Sequence, residues 1–243
     1  MIRKLFSGTH NEAKGLHTKR NYEIQRIETF SDGVFAFAVT LLIVSLEVPH
    51  SFEELLMTMR GFFAFGISFL ILLSIWNEQH RFFRLYGMDD SRTIALNGFL
   101  LFIVLFYVYP LKFVFSLMFS DQIYGSDKSP FRISQHQVPY LMVIYGLGLM
   151  AIYLLFFLMY RHAFRKSGAL GLNPGEKFDC KTNVYRMTIM AGFALLSVLV
   201  ALALPDALAG SAGFVYFLIG PAFFIFHSSR SKRKKKLLFV KEE

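Results

Sequence analysis

Six long runs of apolar residues, almost free of charge, limit what this chain can fold into more than any other feature. They cover about 30–48, 61–76, 94–118, 138–160, 187–204 and 211–227. A helix needs about 20 mostly apolar residues to cross roughly 30 Å of hydrocarbon. Inside hydrocarbon the backbone has to satisfy its own hydrogen bonds, which leaves helices and closed barrels. Barrel strands alternate apolar and polar residues over about ten positions, and these runs are apolar on every side. The expected fold is therefore an all-α integral membrane protein with six transmembrane helices. A short amphipathic piece over 51–60 is expected before the second span. Pro110 in the third span and Gly220-Pro221 in the sixth are tolerated, because neighbouring groups in a helix bundle re-satisfy the backbone.

Composition agrees. Apolar residues make up 54% of the 243 and charged ones only 18%, below the roughly 25% charged residues of an ordinary soluble domain. With one cysteine, Cys180, no intramolecular disulfide and no cysteine-rich metal site can form. Cys180 lies in a polar, basic stretch and reads as a spare thiol. The first 29 residues lack an apolar core of the signal-peptide kind, so no cleavable signal peptide is expected. The Pro174-Gly175 pair reads as a loop turn.

The distribution of Lys and Arg gives the orientation. With six spans, all of the 26 basic residues except Arg60, Lys112, Lys128 and Arg132 fall on one side. Basic loops stay in the cytoplasm, so both termini are expected there, in the cell membrane. Lys112, inside the third span, is expected to snorkel towards the outer end. The organisation expected is a cytoplasmic segment 1–29, a six-helix membrane domain 30–228 and a basic cytoplasmic tail 229–243. The run Ser231–Lys236 reads as a solvated anchor for anionic lipid headgroups. A nucleic-acid patch is the less favoured reading, and no nucleic-acid partner is expected.

The segment richest in polar groups at a membrane edge is Arg26-Ile-Glu-Thr-Phe30-Ser31-Asp32-Gly33, which opens the first span. Taken alone, Ser31 or Asp32 caps a helix start and Arg26 anchors it to the inner surface. The second span ends in Trp76-Asn77-Glu78-Gln79-His80-Arg81. That span enters from outside, so Trp76, Asn77 and His80 reach the same depth as Arg26 and Asp32, where hydrogen bonds can tie two helices together. His80 as a proton relay or pH sensor is a further reading. The chain has no H-E-x-x-H, G-x-S-x-G or P-loop pattern, and no enzyme activity is expected.

Arg26-x-x-x-Phe30-Ser31-Asp32, followed by Gly-Val-Phe-Ala-Phe-Ala-Val-Thr-Leu-Leu, resembles the signature and first helix of the transmembrane protein 175 potassium channels of lysosomes and bacteria. The chain has room for one six-helix repeat, as in the bacterial form. The resemblance implies a homotetramer in which the first helix of each subunit lines a central pore. Such channels lack the carbonyl filter of ordinary potassium channels, and an apolar constriction is expected instead. Aligning on Phe-Ser-Asp places Phe37, Leu41 and Val44 on the pore. Their i, i+4, i+7 spacing puts them on one helical face, with Gly33 and Thr40 on or beside it. Packing against a neighbouring helix is the other reading of that face.

The resemblance further implies that Thr40 hydroxyls contribute to potassium preference. Arg26, Phe30, Ser31 and Asp32, with Trp76, Asn77 and His80, would hold the pore helix in place. The family commonly has isoleucine where this chain has Phe37, so either Phe37 or Leu41 forms the narrowest ring. The function implied is a potassium-selective channel that needs no cofactor, with K+ as the permeating ion and copies of itself as partner. A proton-permeable channel, a secondary transporter and a non-transporting scaffold are the alternatives.

Overall fold

The computed structural model describes residues 26–44, 50–118 and 133–239, so most of the segment expected over 1–29 lies outside the described residues. Six α-helices carry the six expected spans: α1 (Arg26–Val44), α2 (Phe52–Tyr86), α3 (Ser91–Met118), α4 (Val138–Arg165), α5 (Pro174–Ala203) and α6 (Ile219–Phe239). A 3-10 segment over Asp206–Leu218 leads into α6. Four described helical stretches are long and apolar enough to cross a membrane: Ser91–Leu117, Gln135–Arg165, Pro174–Ala203 and Asp206–Ser231. The expected first span continues over residues 45–48, outside the described ones.

Several boundaries differ from the sequence reading, each for a local reason. The amphipathic 51–60 piece and the second span form a single 35-residue helix. At 1.5 Å per residue it is about 52 Å long, so it projects well beyond the hydrocarbon. It stops at Gly87, whose φ of 54° is the left-handed conformation that ends helices. The Gly87 amide donates to the Phe83 carbonyl at 2.7 Å.

Pro174-Gly175 is not a loop turn but the first turn of α5. Asn173 caps it: its side chain accepts from the Glu176 amide at 2.8 Å, and the Glu176 carboxylate accepts from the Asn173 amide at 2.9 Å. This is a reciprocal capping box, with proline at a position where a helix needs no N–H. Cys180 therefore lies inside a helix and is fully buried, with its Sγ 3.7 Å from the Tyr160 carbonyl.

The sixth span straddles two helical forms. In the 3-10 segment, side chains three apart eclipse, and Ala209 and Ala212 are both fully buried. Ser197 of α5 donates to the Ala212 carbonyl at 3.0 Å. α6 then continues past residue 228 without a break. The basic run after it is not a free anchor along its whole length. Lys234 pairs with Asp179 of α5 at 2.6 Å. Arg230 donates to Thr182 and stacks 4.2 Å from the Phe178 ring centroid.

The helices pack as two groups. α1 touches α2 and α3 and no other described element. α4, α5 and the 3-10 segment form the other group, with α3 against α4 as the main seam. Glycines make the close approaches, as is usual where helices pack in lipid. A Cβ at Gly148 would fall on the Tyr107 ring of α3, and one at Gly146 on Val198 of α5. Replacing Gly148 by valine is expected to force this seam apart and lower the melting temperature in detergent. Valine at Gly192, which meets nothing within 4 Å, is expected to leave it nearly unchanged.

Candidate functional site: the open face of the first helix and the network behind it

α1 has two unlike faces. Ser31, Phe35, Ala38 and Leu42, spaced as one helical stripe, are buried against α2 and α3. On the opposite side Phe30, Gly33, Phe37 and Thr40 are exposed in the single chain. Phe37 is 56% exposed, and its ring does not pack on α2 or α3. Leu41 lies at the edge of the open face and packs partly on the core. Val44 ends the described helix, and its side chain lies outside the described residues. The Thr40 hydroxyl donates to the Ala36 carbonyl one turn back, at 3.0 Å. That spends its proton and leaves its oxygen to act only as an acceptor.

Behind this helix a chain of amides and hydroxyls crosses three helices. Ser31 donates to the Ile27 carbonyl at 2.7 Å. Its oxygen accepts from the Asn97 amide of α3 at 2.9 Å. The Asn97 carbonyl in turn accepts from Gln79 of α2 at 3.2 Å. Ser31, Asn97 and Gln79 are each at most 1% exposed. Buried polar groups require partners, so this chain fixes the rotation of α1 about its own axis. Nearer the surface, the Trp76 indole donates to Asp32 at 2.7 Å. Trp76 stacks on His80 at 5.4 Å between centroids, and His80 lies 3.9 Å from Glu28 of α1.

The structure joins Asp32, Trp76 and His80, while Ser31 belongs to the separate chain through Asn97 and Gln79 and Arg26 and Phe30 are exposed. Asn77 does not join them. At 100° per residue it points away from Trp76 and lines a different cleft, beside Glu78 and Arg186. Gln79 and Asn97 are the members that sequence reading missed. An asparagine near the start of the mostly apolar third span was the available signal.

Lys112 of α3 also departs from expectation. Its ammonium turns to α1 and donates to the Leu42 carbonyl at 2.9 Å, where a cation meets carbonyls in the last described turn of the helix. α1 is therefore held to α3 at both ends of its described length, by Asn97 and by Lys112.

The α2–α3 connection is tied to α4 by a separate cluster. Asp90 accepts from Thr93 at 2.7 Å, lies 2.8 Å from His162 and pairs with Lys166 at 3.3 Å. Burial works against its charge, but the Thr93, His162 and Lys166 contacts outweigh it and hold the carboxyl down at about 2. A carboxyl with a lower pKa folded than unfolded stabilises the fold above its unfolded value, near 4, and loses that contribution as the pH falls towards 2. Wild type is expected to melt above Asp90→Asn at pH 6, and the gap is expected to close by pH 2, as read by thermal unfolding in detergent.

An all-helical, multi-pass membrane protein whose first helix keeps an apolar, outward-facing stripe is the class that this geometry defines. The model of a family described as endosomal/lysosomal potassium channel TMEM175 matches residues 26–107. A "Potassium channel" of Marivirga tractuosa is 41% identical over 230 residues, covering 90% of this chain and 92% of the relative. A potassium channel of Chamaesiphon minutus is 41% identical over 96 residues, covering 36% and 47%. A crystal structure of a variant of the potassium channel MtTMEM175, in complex with a nanobody fusion, superposes with a TM-score of 0.77 at 37% identity, covering 89% of this chain and 97% of that one. A TMEM175 homolog from Chamaesiphon minutus, at 22% identity and a TM-score of 0.54 over 84% and 96%, shares the fold. The chain belongs to the TMEM175 family.

Proposed function

We propose that this protein is a potassium-selective channel, a homotetramer in which four copies of α1 surround a central pore and K+ flows down its electrochemical gradient. The observation that carries this reading is the open stripe of α1, which puts Gly33, Phe37 and Thr40 outside while the opposite face is locked to α2 and α3. A single chain in a membrane gains little by holding one helix so rigidly with a large ring unpacked. A symmetric assembly uses that rotation to set what faces its axis. Relatives covering nearly the whole chain are potassium channels.

In this arrangement Phe37 forms the narrowest ring, because Leu41 is partly taken up by the subunit's own core. The apolar ring gates by expelling water. One turn on, the Thr40 oxygens replace part of the ion's water shell. Val44 continues the same face. Arg26, Phe30, Ser31 and Asp32, with Trp76 and His80, position the helix and do not touch the ion. The body over 30–228 lies in the cell membrane, with both termini cytoplasmic and the basic end facing anionic headgroups. No cofactor takes part.

Recording purified protein in planar bilayers, with K+ on one side and Na+ on the other, tests the proposal. A non-saturating, K+-selective current is expected. Phe37→Ala is expected to raise conductance severalfold and Leu41→Ala less. Thr40→Val is expected to shift the reversal potential towards zero while Thr40→Ser holds it. A saturating, coupled flux would mean a transporter, a current carried chiefly by protons a proton channel, and no flux a scaffold.

A further inference from the structure

A second cleft, of about 400 Å³, opens between the two helix groups, bounded by α2, α4, α5 and α6. That is within the usual range of small-ligand sites. Its two ends differ. At one end lie Asn77, Glu78 and Arg186, and further along lie Met190, Ile219 and Phe223. Glu78 neutralises Arg186 and also accepts from the Tyr160 hydroxyl. Arg186 Nε is nevertheless buried with no hydrogen-bond partner, and no described residue bonds the Asn77 amide. A buried donor left unmade is costly, so Arg186 Nε calls for an acceptor from outside the chain, and the exposed Asn77 amide beside it can donate to the same group.

We propose that this cleft binds a phospholipid of the surrounding bilayer, with its ester carbonyls accepting from Arg186 Nε and Asn77 and one acyl chain lying along Met190, Ile219 and Phe223. The chemistry is matched at each end. The local charge is already balanced, so a neutral carbonyl fits the polar end better than a free anion. The deeper lining offers thioether and hydrocarbon, and Met conforms readily to a flexible chain. The depth fits too. α2 runs towards the end of the bundle that carries Arg26, and Asn77 lies one residue beyond Trp76, which binds Asp32. The polar end therefore meets the ester level of one leaflet, and the apolar end points to the bilayer centre. Such a lipid would add to the Glu78–Arg186 pair between α2 and α5 and would link α2 to α6 across the groove that both line. The proposal needs the membrane fold alone and does not depend on which ion passes.

Native mass spectrometry of the full-length protein, delipidated in detergent and then given dioleoyl phosphatidylglycerol, reads the occupancy directly. Wild type is expected to retain lipid through gas-phase activation. Met190→Trp, which fills the apolar end, is expected to lower retention about tenfold. Arg186→Lys keeps the pair with Glu78 but removes Nε, and is expected to lower it about threefold, as is the milder Asn77→Ala. Leu199→Trp, on the exposed opposite side of α5, is expected to match wild type. Equal retention in wild type, Met190→Trp and Asn77→Ala would overturn the proposal. So would efficient crosslinking between copies through Met190→Cys, because a second subunit would then fill the groove. Bilayer currents recorded on the same samples keep a failure of this site separate from a failure of the channel assignment.

Discussion

Replacing Glu78 by alanine is expected to remove most of the folded protein, with a loss of about 3–5 kcal/mol. Glu78 is the charged link between α2 and the second helix group, through the Arg186 guanidinium of α5 and the Tyr160 hydroxyl of α4. Around this pair α2 meets the second group through Phe82 and Tyr86, whose rings pack edge-on against Tyr160 of α4. Alanine therefore strands a cation inside the bundle, beside the buried aromatic cluster of Phe82, Tyr86 and Tyr160. The magnitude comes from the unpaired charge and not from the bond itself. Removing both partners is accordingly expected to cost far less: Glu78→Met with Arg186→Met leaves no buried charge and fills similar volume. Size-exclusion profiles and melting temperatures in detergent check both. A double variant as damaged as the single one would show that the pair does more than compensate charge.

The second large effect is expected at Asn97. Leucine there strands the Gln79 amide, with a cost of about 1–3 kcal/mol, and removes the donor to Ser31. Intact intramembrane hydrogen bonds average only about 0.6 kcal/mol, so the expected loss again exceeds the value of the bonds removed. Its functional consequence should be larger than its effect on stability. Freed from Asn97, α1 keeps the Trp76–Asp32 bond and, at its far end, Lys112, but the buried contact that fixes its rotation at Ser31 is gone. On the proposed channel reading, Asn97→Leu is expected to give a protein that still assembles but passes a poorly selective current. Asn97→Gln, which keeps both hydrogen-bonding groups, is expected to retain more selectivity. Reversal potentials measured with K+ opposed by Na+ distinguish the two.

Much of this architecture is legible in the residue string, and the parts that are not share a cause. Apolar runs of span length require helices, because nothing else satisfies the backbone in lipid. The shared depth of Asp32, Trp76 and His80 follows from counting residues along antiparallel spans. Which way each side chain turns does not follow from counting. Neighbouring residues lie 100° apart on a helix, so Trp76 and Asn77 share a depth but face different partners. Gln79 and Asn97 meet only because α2 and α3 pack beside each other. The Pro174-Gly175 reading failed for a related reason: Asn173 and Glu176 spell a capping box, but a proline-glycine pair is equally suited to a turn until the following residues are seen to pack.

The sequence by itself determined that this chain lives in a membrane as helices, which end of α1 carries the polar signature, and the family that signature resembles. Hydropathy and spacing suffice for the first two, since both are local properties, and the family rests on the likeness of the motif residues themselves. Only the tertiary structure decided which stripe of α1 is buried and which stays open, that Lys112 turns inward to a helix carbonyl, that the basic end of α6 docks on α5, and that Glu78 joins the two helix groups. Each of these depends on how helices distant in the chain are rotated against one another, and that rotation is fixed by packing and by the partners that buried polar groups must find.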